Sequence, residues 1–201
     1  MEIRSEEALR GLYGDPGERA VRKQLAALDA HCRTFIAHSP FLVMGTAGVD
    51  GAVDTSPKGD APGFVAVLDD RTLLIPDRPG NNRLDGMRNV LENPQVGLLF
   101  MIPGVNETLR VNGRARITTD AALLAPLAVR GRTPASGLLV EVDEVFLHCA
   151  KAFIRSRLWD PASQVERGTI PSMGRMLADQ LGTDVEESER LTQESIRDRL
   201  Y

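Results

Sequence analysis

The chain has 201 residues, a formal net charge of −4 and 42% hydrophobic residues. This length suits one domain with an ample core, and no apolar run approaches the length of a membrane span. The acidic balance argues against a general nucleic-acid-binding protein, and the polar sequence after Met1–Arg4 does not resemble a signal peptide. We therefore expect a cytoplasmic protein that binds neither a membrane nor nucleic acid.

Two cysteines, Cys32 and Cys149, each follow a histidine and lie far apart in the sequence. Such sparse cysteines without a C-x-x-C pair indicate reduced thiols in the cytoplasm. The two His-Cys pairs raise the alternative of a metal site, but no further ligand spacing supports one. We predict buried small thiols beside incidental histidines, and no metal centre.

The first part of the chain has helical patterns. Glu6–Tyr13 predicts a weak helix that Gly14-Asp15-Pro16-Gly17 ends. Apolar residues at helical spacing then predict one amphipathic helix from Glu18 to His38, which Ser39-Pro40 terminates.

Short strands with tight turns follow. The predicted strands are Phe41–Thr46, Val53–Ser56, Phe64–Leu68, Thr72–Ile75, Val96–Ile102, Glu107–Thr119 and Gly137–Leu147. This spacing favours an antiparallel sheet or barrel over alternating βαβ units. In Glu107–Thr119, apolar residues alternate with Arg110, Arg114 and Arg116. One face of that strand should be buried, and the arginine face is either solvated or meets acidic groups.

The last part of the chain again favours helices. They are predicted over Asp120–Val129, Ala150–Trp159, Met173–Leu181 and Val185–Leu200. We predict a single domain over residues 1–201, made of an N-terminal helical segment (1–38), a barrel core (39–150) and a C-terminal helical segment (151–201).

The stretch from Thr72 to Phe100 predicts a strand, a tight loop, a helix and a second strand. The loop residues Pro76–Gly80 are typical of turns. Asn81 or Asn82 can cap the helix, and Asn93-Pro94 ends it. One face of this helix carries apolar residues at helical spacing: Leu84, Met87 and Leu91.

Two amides and a guanidinium, from Asn81, Asn82 and Arg83, meet at the predicted start of this helix. Free N–H groups at a helix start and an arginine fork form a good phosphate seat. A plain connecting loop is the alternative. Lys58, in the segment Ser56–Asp60, is a compact cation suited to a phosphate oxygen, although alone it is better explained as a solvated turn lysine.

Several common catalytic motifs are missing from the sequence. It has no G-x-S-x-G elbow, no H-E-x-x-H pair and neither a G-x-G-x-x-G nor a P-loop glycine run. The 3 histidines offer no obvious triad. The sequence therefore does not favour a hydrolase.

Six segments between Phe35 and Trp159 resemble, in this order, a known family. They are SPF at 39–41, VDTSPKGD at 53–60, PDRPGNNR at 76–83, NPQVGLLF at 93–100, LRVNGRA at 109–115 and HCAKAFIRSRLW at 148–159. Together they resemble the pyridoxamine 5′-phosphate oxidase-related FMN-binding proteins. The resemblance implies a mainly β fold with flanking helices (α+β), namely an antiparallel Greek-key split β-barrel of the FMN-binding type.

The resemblance also implies a cofactor site. In that family, a basic residue at a strand end and the residues at the start of the central helix hold the FMN phosphate. Carried over, Lys58, Asn82 and Arg83 would bind the phosphate, with Asn81 and Ser56 assisting. Pro76 and Asp77 would lie near the flavin ring or the ribityl chain.

The family's flavin lies at a dimer interface, so the resemblance implies a homodimer in which the second subunit completes the site. The residues that it would supply are Thr108, Lys151, Arg155 and Trp159. Trp159, the only tryptophan, fits a core or interface anchor equally well.

Departures from the family pattern bear on the substrate. The vitamin B6 oxidases carry an arginine-glutamine pair where this chain has Glu107-Thr108, and an Arg-x-His that Ser195–Tyr201 lacks. Oxidation of pyridoxamine phosphate is therefore not expected.

The flavin carries the redox chemistry itself, so no catalytic residue is assigned. We expect an FMN-dependent oxidoreductase with a small-molecule redox substrate. The alternatives are a non-catalytic flavin-binding or flavin-sensing protein, or a related split barrel that uses a deazaflavin or haem.

Overall fold

A computed structural model describes residues 2–201 and shows one seven-stranded antiparallel sheet. Its strands are β1 (Phe41–Ala47), β2 (Val53–Gly59), β3 (Ala66–Val67), β4 (Thr72–Pro76), β5 (Gln95–Met101), β6 (Thr108–Thr118) and β7 (Gly137–His148). Their order is β2-β1-β5-β6-β7-β4-β3. Within the described residues, the edge strands β2 and β3 do not pair with each other, so the sheet is not closed. The predicted fold class, an antiparallel split barrel with flanking helices, is confirmed.

The connections between strands form a Greek key. Strands β5, β6 and β7 are sequential antiparallel neighbours. Strand β4 precedes β5 in the chain, and a long connection separates these two strands, because β4 pairs with β7.

The helices are α1 (Glu6–Tyr13), α2 (Glu18–Arg22), α3 (Ala30–His38), α4 (Asp85–Glu92), α5 (Ala121–Leu124), α6 (Lys151–Ser156), α7 (Met173–Leu181) and α8 (Val185–Asp198). Two short 3₁₀ turns cover Ala125–Leu127 and Pro161–Ser163. Among residues 2–201, none of these helices is long and apolar enough to cross a membrane.

One face of the sheet forms the core, and the opposite face of β6 is polar. Leu109 and Val111 are fully buried, as the alternation in the sequence predicts. On the other face, Arg110 approaches Glu144 of β7 at 3.8 Å and Arg114 approaches Glu141 at 3.3 Å. Of the two alternatives for the arginine face, the structure supports contact with acidic groups. These groups belong to the neighbouring strand.

The single helix predicted over Glu18–His38 is wrong, because the chain forms two helices there. Leu25, between them, pairs with the sheet: its N–H donates to the Val145 carbonyl at 3.0 Å, and the Val145 N–H donates back at 2.8 Å. A residue that bonds to a strand cannot also bond within a helix. Helix α3 then begins afresh, where the Asp29 carboxylate caps it by accepting from the Cys32 N–H.

The two thiols differ in exposure. Cys32 is buried against the core, whereas Cys149 is exposed, so the prediction of two buried thiols is wrong for Cys149. Cys149 follows the last residue of β7 and therefore lies outside the core. Burial, together with a hydrogen bond to the Asp29 carboxylate, raises the pKa of Cys32 to about 11. Within residues 2–201, no group of three or more histidine, cysteine or acidic side chains could hold a metal ion.

Candidate functional site

A cavity of about 610 Å³ opens between strand β2, the end of β4 and the start of α4. Strand β2 presents Ser56 and Lys58 to it, and the loop after β4 forms the opposite wall. The polar wall residues include Ser56, Lys58, Asp77, Arg78, Asn81, Asn82, Arg83 and Asp85, and the apolar ones include Met44, Phe64, Pro76, Leu84, Met87 and Leu200. A cavity of this size lies within the range of about 300–1,000 Å³ that is usual for small-molecule sites.

The loop from Pro76 to Leu84 has an unusual backbone. Asn82 and Leu84 adopt left-handed conformations, with φ values of 59° and 58°. Leucine rarely adopts this conformation, and asparagine tolerates it better. The Asn81 side-chain oxygen accepts from the Arg83 N–H at 3.1 Å and thereby closes a tight turn. This turn and the two left-handed residues precede the start of the helix, and all of them line the cavity.

Helix α4 begins at Asp85, so the prediction that Asn81 or Asn82 caps it is wrong. The residue before the helix is Leu84, and no side chain among the described residues caps this helix by a hydrogen bond. The predicted apolar face is also shifted. Leu84 and Leu91 are exposed, whereas Gly86 and Val90 are buried. The shift arises because Gly86 contacts the barrel closely: a Cβ there would lie 3.1 Å from Met44 Cε.

Lys58 forms a half-buried ion pair across the cavity. Its ammonium lies 3.4 Å from Oδ1 of Asp77, and the two side chains are 21% and 27% exposed. The pair joins β2 to the loop after β4, the two elements that bound the cavity. Lys58 is therefore not a freely solvated turn residue. A ligand anion that approaches Lys58 must share the ammonium with Asp77.

Arg83 forms a more exposed ion pair with Asp85, with Nε 2.8 Å from Oδ2. The hydrogen bond and the charge of Asp85 raise the pKa of Arg83, so the guanidinium is always charged. Its side chain is 72% exposed and can swing towards or away from the cavity at little cost. The two cations nearest the proposed phosphate seat thus differ: Lys58 is 21% exposed, and Arg83 is 72% exposed.

A third ion pair joins Arg78, which lines the cavity, to Asp60, which does not. Arg78 Nε lies 2.6 Å from Asp60 Oδ2, and a second guanidinium nitrogen donates to the Leu127 carbonyl at 2.9 Å. Burial of Asp60 opposes its ionisation. Hydrogen bonds from the Ala61 N–H, the Tyr201 hydroxyl and Arg78 outweigh that effect and lower the pKa of Asp60.

The structure brings most of the sequence-predicted site residues to this one cavity. Its wall contains Ser56, Lys58, Pro76, Asp77, Asn81, Asn82 and Arg83. They come from two segments that are distant in sequence, the end of β2 and the loop before α4. This arrangement brings a compact cation, an arginine and two amides into the lining of one cavity that also has apolar surface. Such a donor set suits a phosphate attached to an apolar group.

The other four predicted site residues do not line the cavity of their own chain. Thr108 is buried at the start of β6, and Lys151 and Arg155 are exposed on α6. Trp159 stacks on Phe153 with ring centroids 5.6 Å apart. Its indole N–H donates to the Val105 carbonyl at 2.8 Å, as expected for an anchor within the chain.

Several wall residues were missed in the sequence, and Arg78 and Leu200 are two of them. Arg78 lies inside the quoted PDRPGNNR segment, and its position between two prolines gave a signal that could have singled it out. Leu200 lines the cavity from the segment that follows α8. No local pattern indicates this contact, because it depends on how the last two helices pack.

A comparison of the sequence with known protein families shows the family of the chain. The model of the family described as pyridoxamine 5′-phosphate oxidase matches residues 28–149, which is more than half of the chain. The chain belongs to this family. The matched range contains the sheet and the ion pairs of Lys58, Arg78 and Arg83. The resemblance inferred from the sequence motifs is therefore confirmed.

Solved structures of similar shape are distant in sequence. The HupZ protein of Group A Streptococcus is 17% identical, with 60% of this chain and 93% of that chain covered and a TM-score of 0.49. A Lactobacillus delbrueckii protein named for pyridoxamine 5′-phosphate oxidase is 19% identical (62% and 98% covered, TM-score 0.49). An FMN-binding protein from Syntrophomonas wolfei is 13% identical (71% and 96% covered, TM-score 0.47). No curated protein sequence matches the chain.

Proposed function

We propose that this member of the pyridoxamine 5′-phosphate oxidase family binds FMN in the cavity between β2 and α4 and acts as an oxidoreductase. One observation carries the proposal: Lys58 and Arg83, from separate segments, line the same cavity together with Asn81 and Asn82. Family membership gives this cavity its expected ligand. A phosphate needs several charge-assisted donors, and the wall provides them.

The chemistry of the wall fits the two halves of FMN. The donors named above suit the phosphate, and Ser56 adds a hydroxyl beside them. Met44, Phe64 and Met87 provide apolar surface for a ring system. Pro76 and Asp77, at the end of β4, also line the cavity and suit the ribityl chain. When bound, FMN would supply the redox chemistry, and the chain's own residues would hold and orient it.

A homodimer is part of the proposal. The four residues expected from the second subunit, Thr108, Lys151, Arg155 and Trp159, lie away from the cavity of their own chain. Lys151 and Arg155 are exposed and so accessible to a partner. The substrate would be a small molecule that reaches the flavin from the side that the partner covers. We place the protein in the cytoplasm, because its two cysteines are sparse and form no C-x-x-C pair.

A non-catalytic flavin-binding protein is the second candidate. One observation favours it: among the described residues that line the cavity, none is a histidine, cysteine or tyrosine. Histidine is the group that general acid–base catalysis uses most often. Turnover of a nicotinamide or another small redox partner by the flavin-loaded protein would support the oxidoreductase. A bound flavin that exchanges no electrons with such partners would support the second candidate.

The direct test of FMN binding is a titration of the purified protein, monitored by flavin fluorescence. Lys58→Ala should weaken binding by at least about tenfold, since a hydrogen bond to a charged group contributes about 1.5–3 kcal/mol. Arg83→Ala should also weaken binding, and the double variant should weaken it further. The matched control is Arg175→Ala. Arg175 forms a similar exposed ion pair, with its Nε 2.9 Å from Oδ2 of Asp179, and neither residue lines the cavity. Wild-type protein that takes up no FMN would refute the proposal.

The spectrum of the purified protein separates the remaining cofactor alternatives. FMN, a deazaflavin and haem have distinct visible absorption, so the colour of the protein as isolated identifies which one it holds. A deazaflavin or haem spectrum would reassign the cavity and leave the family assignment unchanged.

A further inference from the structure

The last two helices form a hairpin that packs on itself. Gly174 of α7 approaches α8 so closely that a Cβ there would lie 2.6 Å from Glu189 Cα. Ala178 and Ser188 are buried between the helices, and the Ser172 hydroxyl donates to the Glu189 carboxylate. The hairpin is thus an internally stabilised unit. Its far end leads into Leu200, which lines the cavity, and Tyr201.

Tyr201 fastens this end to the body of the protein through three contacts. Its hydroxyl donates to Asp60 Oδ1 at 3.0 Å. The Arg130 guanidinium lies over its ring, 4.8 Å from the centroid. Arg132 donates to its carbonyl oxygen. The hydrogen bond to Asp60 also raises the pKa of Tyr201, so the hydroxyl keeps its proton at neutral pH.

The contact with Asp60 connects Tyr201 to the cavity wall. The Asp60 side chain is only 3% exposed and holds Arg78 at 2.6 Å through its other oxygen. Arg78 lies in the loop that forms one side of the cavity. Leu200, the neighbour of Tyr201, lines the cavity directly. One carboxylate therefore joins a cavity-wall arginine to the segment that reaches over the cavity.

We infer that Leu200 and Tyr201 form a latch over the cavity, and that its opening controls ligand entry and release. This inference rests on the proposed function, because the ligand whose exchange it controls is FMN. The contacts of the latch are few, and the partners of Tyr201 (Asp60, Arg130 and Arg132) lie outside the strands, so it can open without disturbing the sheet. Leu200 leaves the wall of the cavity when Tyr201 leaves Asp60, since the two residues are adjacent.

The test is the kinetics of FMN exchange in Tyr201→Phe. This change removes the hydroxyl that bonds Asp60 and keeps the ring over Arg130. If ligand passes only through the open latch, weakening the closed form raises the association and dissociation rate constants by the same factor. We expect both to rise about tenfold, the order expected for losing a hydrogen bond to a charged group, with Kd unchanged. Tyr13→Phe is the matched control, because Tyr13 is the other tyrosine and is 75% exposed on α1.

Two outcomes would overturn the latch. One is unchanged rate constants in Tyr201→Phe. The other is a weaker Kd that comes from dissociation alone, because a simple loss of structure or of a ligand contact predicts that pattern. The Leu200→Ala variant provides a second check: it removes the latch side chain that lines the cavity, so it should raise both the association and the dissociation rate constants.

Hydrogen exchange of the protein without flavin tests the latch independently of the proposed function. In Tyr201→Phe, amides in residues 185–201 should exchange faster, while those of strands β5 to β7 keep their wild-type rates. Unchanged exchange in residues 185–201 would overturn the latch even if FMN binds as proposed. Failure of the wild-type protein to take up FMN would refute the proposed function, and the exchange result would still decide whether the latch opens.

Discussion

Replacing Asp77 with asparagine should tighten the binding of FMN. Asp77 pairs with Lys58 at 3.4 Å, and a phosphate bound to Lys58 would share the same ammonium. The two anions would then face each other across one nitrogen atom. Asparagine keeps the shape and the hydrogen-bonding capacity of the side chain and removes its charge. The variant therefore isolates the repulsion between Asp77 and the phosphate.

The size of this repulsion follows from the geometry of the pair. Two oxygens that each lie about 3 Å from one ammonium nitrogen are at most about 6 Å apart. Unit charges at that distance repel by about 0.7 kcal/mol in bulk water and by about 2.8 kcal/mol at an effective dielectric constant of about 20. Lys58 and Asp77 are 21% and 27% exposed, which places the site between these limits. A gain of about 1–2 kcal/mol corresponds to an affinity roughly five- to thirtyfold higher.

The assay is a fluorescence titration with FMN and, in parallel, with riboflavin, which lacks the phosphate. Asp77→Asn should tighten FMN and leave riboflavin unchanged, and added salt should reduce the gain because it screens charges. Asp179→Asn serves as the control, since Asp179 pairs with an arginine away from the cavity. The reasoning is refuted if Asp77→Asn weakens both flavins equally. That result would mean that the charge of Asp77 supports binding of the part that the two flavins share and does not repel the phosphate.

Three further predictions concern the rest of the chain. At pH 8 a thiol reagent should modify exposed Cys149 rapidly and buried Cys32 only after unfolding. The reason is that burial raises the pKa of Cys32 to about 11. Cys149→Ser should therefore abolish the fast phase of the reaction. Trp159→Phe should lower the free energy of unfolding by about 0.5–1.5 kcal/mol in a denaturant titration, because it removes the hydrogen bond to the Val105 carbonyl and keeps an aromatic ring. The lowered pKa of Asp60 contributes stability that is complete above its unfolded value of about 3.9 and is lost as the pH falls through the folded value. Asp60→Asn should therefore lose stability at pH 7 and show a weaker acid dependence than wild type.

Each of these three predictions has a contrary outcome. Equal reactivity of the two thiols in the folded protein would contradict the burial of Cys32. An unchanged unfolding midpoint in Trp159→Phe would show that the indole hydrogen bond adds nothing to stability. An acid transition of Asp60→Asn with the same slope as wild type would show that this carboxylate does not govern it.

The strands could be predicted because their signal is local. In β6, apolar and polar residues alternate so regularly that the buried face follows from the sequence alone. Helix α7 was also predicted with its observed ends, because Ser172 caps its start and Gly182 follows its last residue. In both cases the residues that determine the element lie within it or next to it.

The failures have long-range causes. The break between α2 and α3 arises because Leu25 pairs with Val145, far along the chain. The late start of α4 depends on Leu84 in a left-handed conformation, which leucine disfavours by itself. Leu200 reaches the cavity only because the last helices pack as a hairpin. Local periodicity carries no information about any of these contacts.

The ion pairs of the cavity bear on which ligand it selects. Lys58 and Arg83 each already have a carboxylate partner, Asp77 and Asp85. A ligand with one negative charge would share one cation with its carboxylate partner and gain little. A phosphate monoester carries between about 1.5 and 2 negative charges at pH 7 and offers three oxygens, so it can engage both cations at once. The paired carboxylates therefore favour a dianionic phosphate over carboxylate-bearing ligands of the same size.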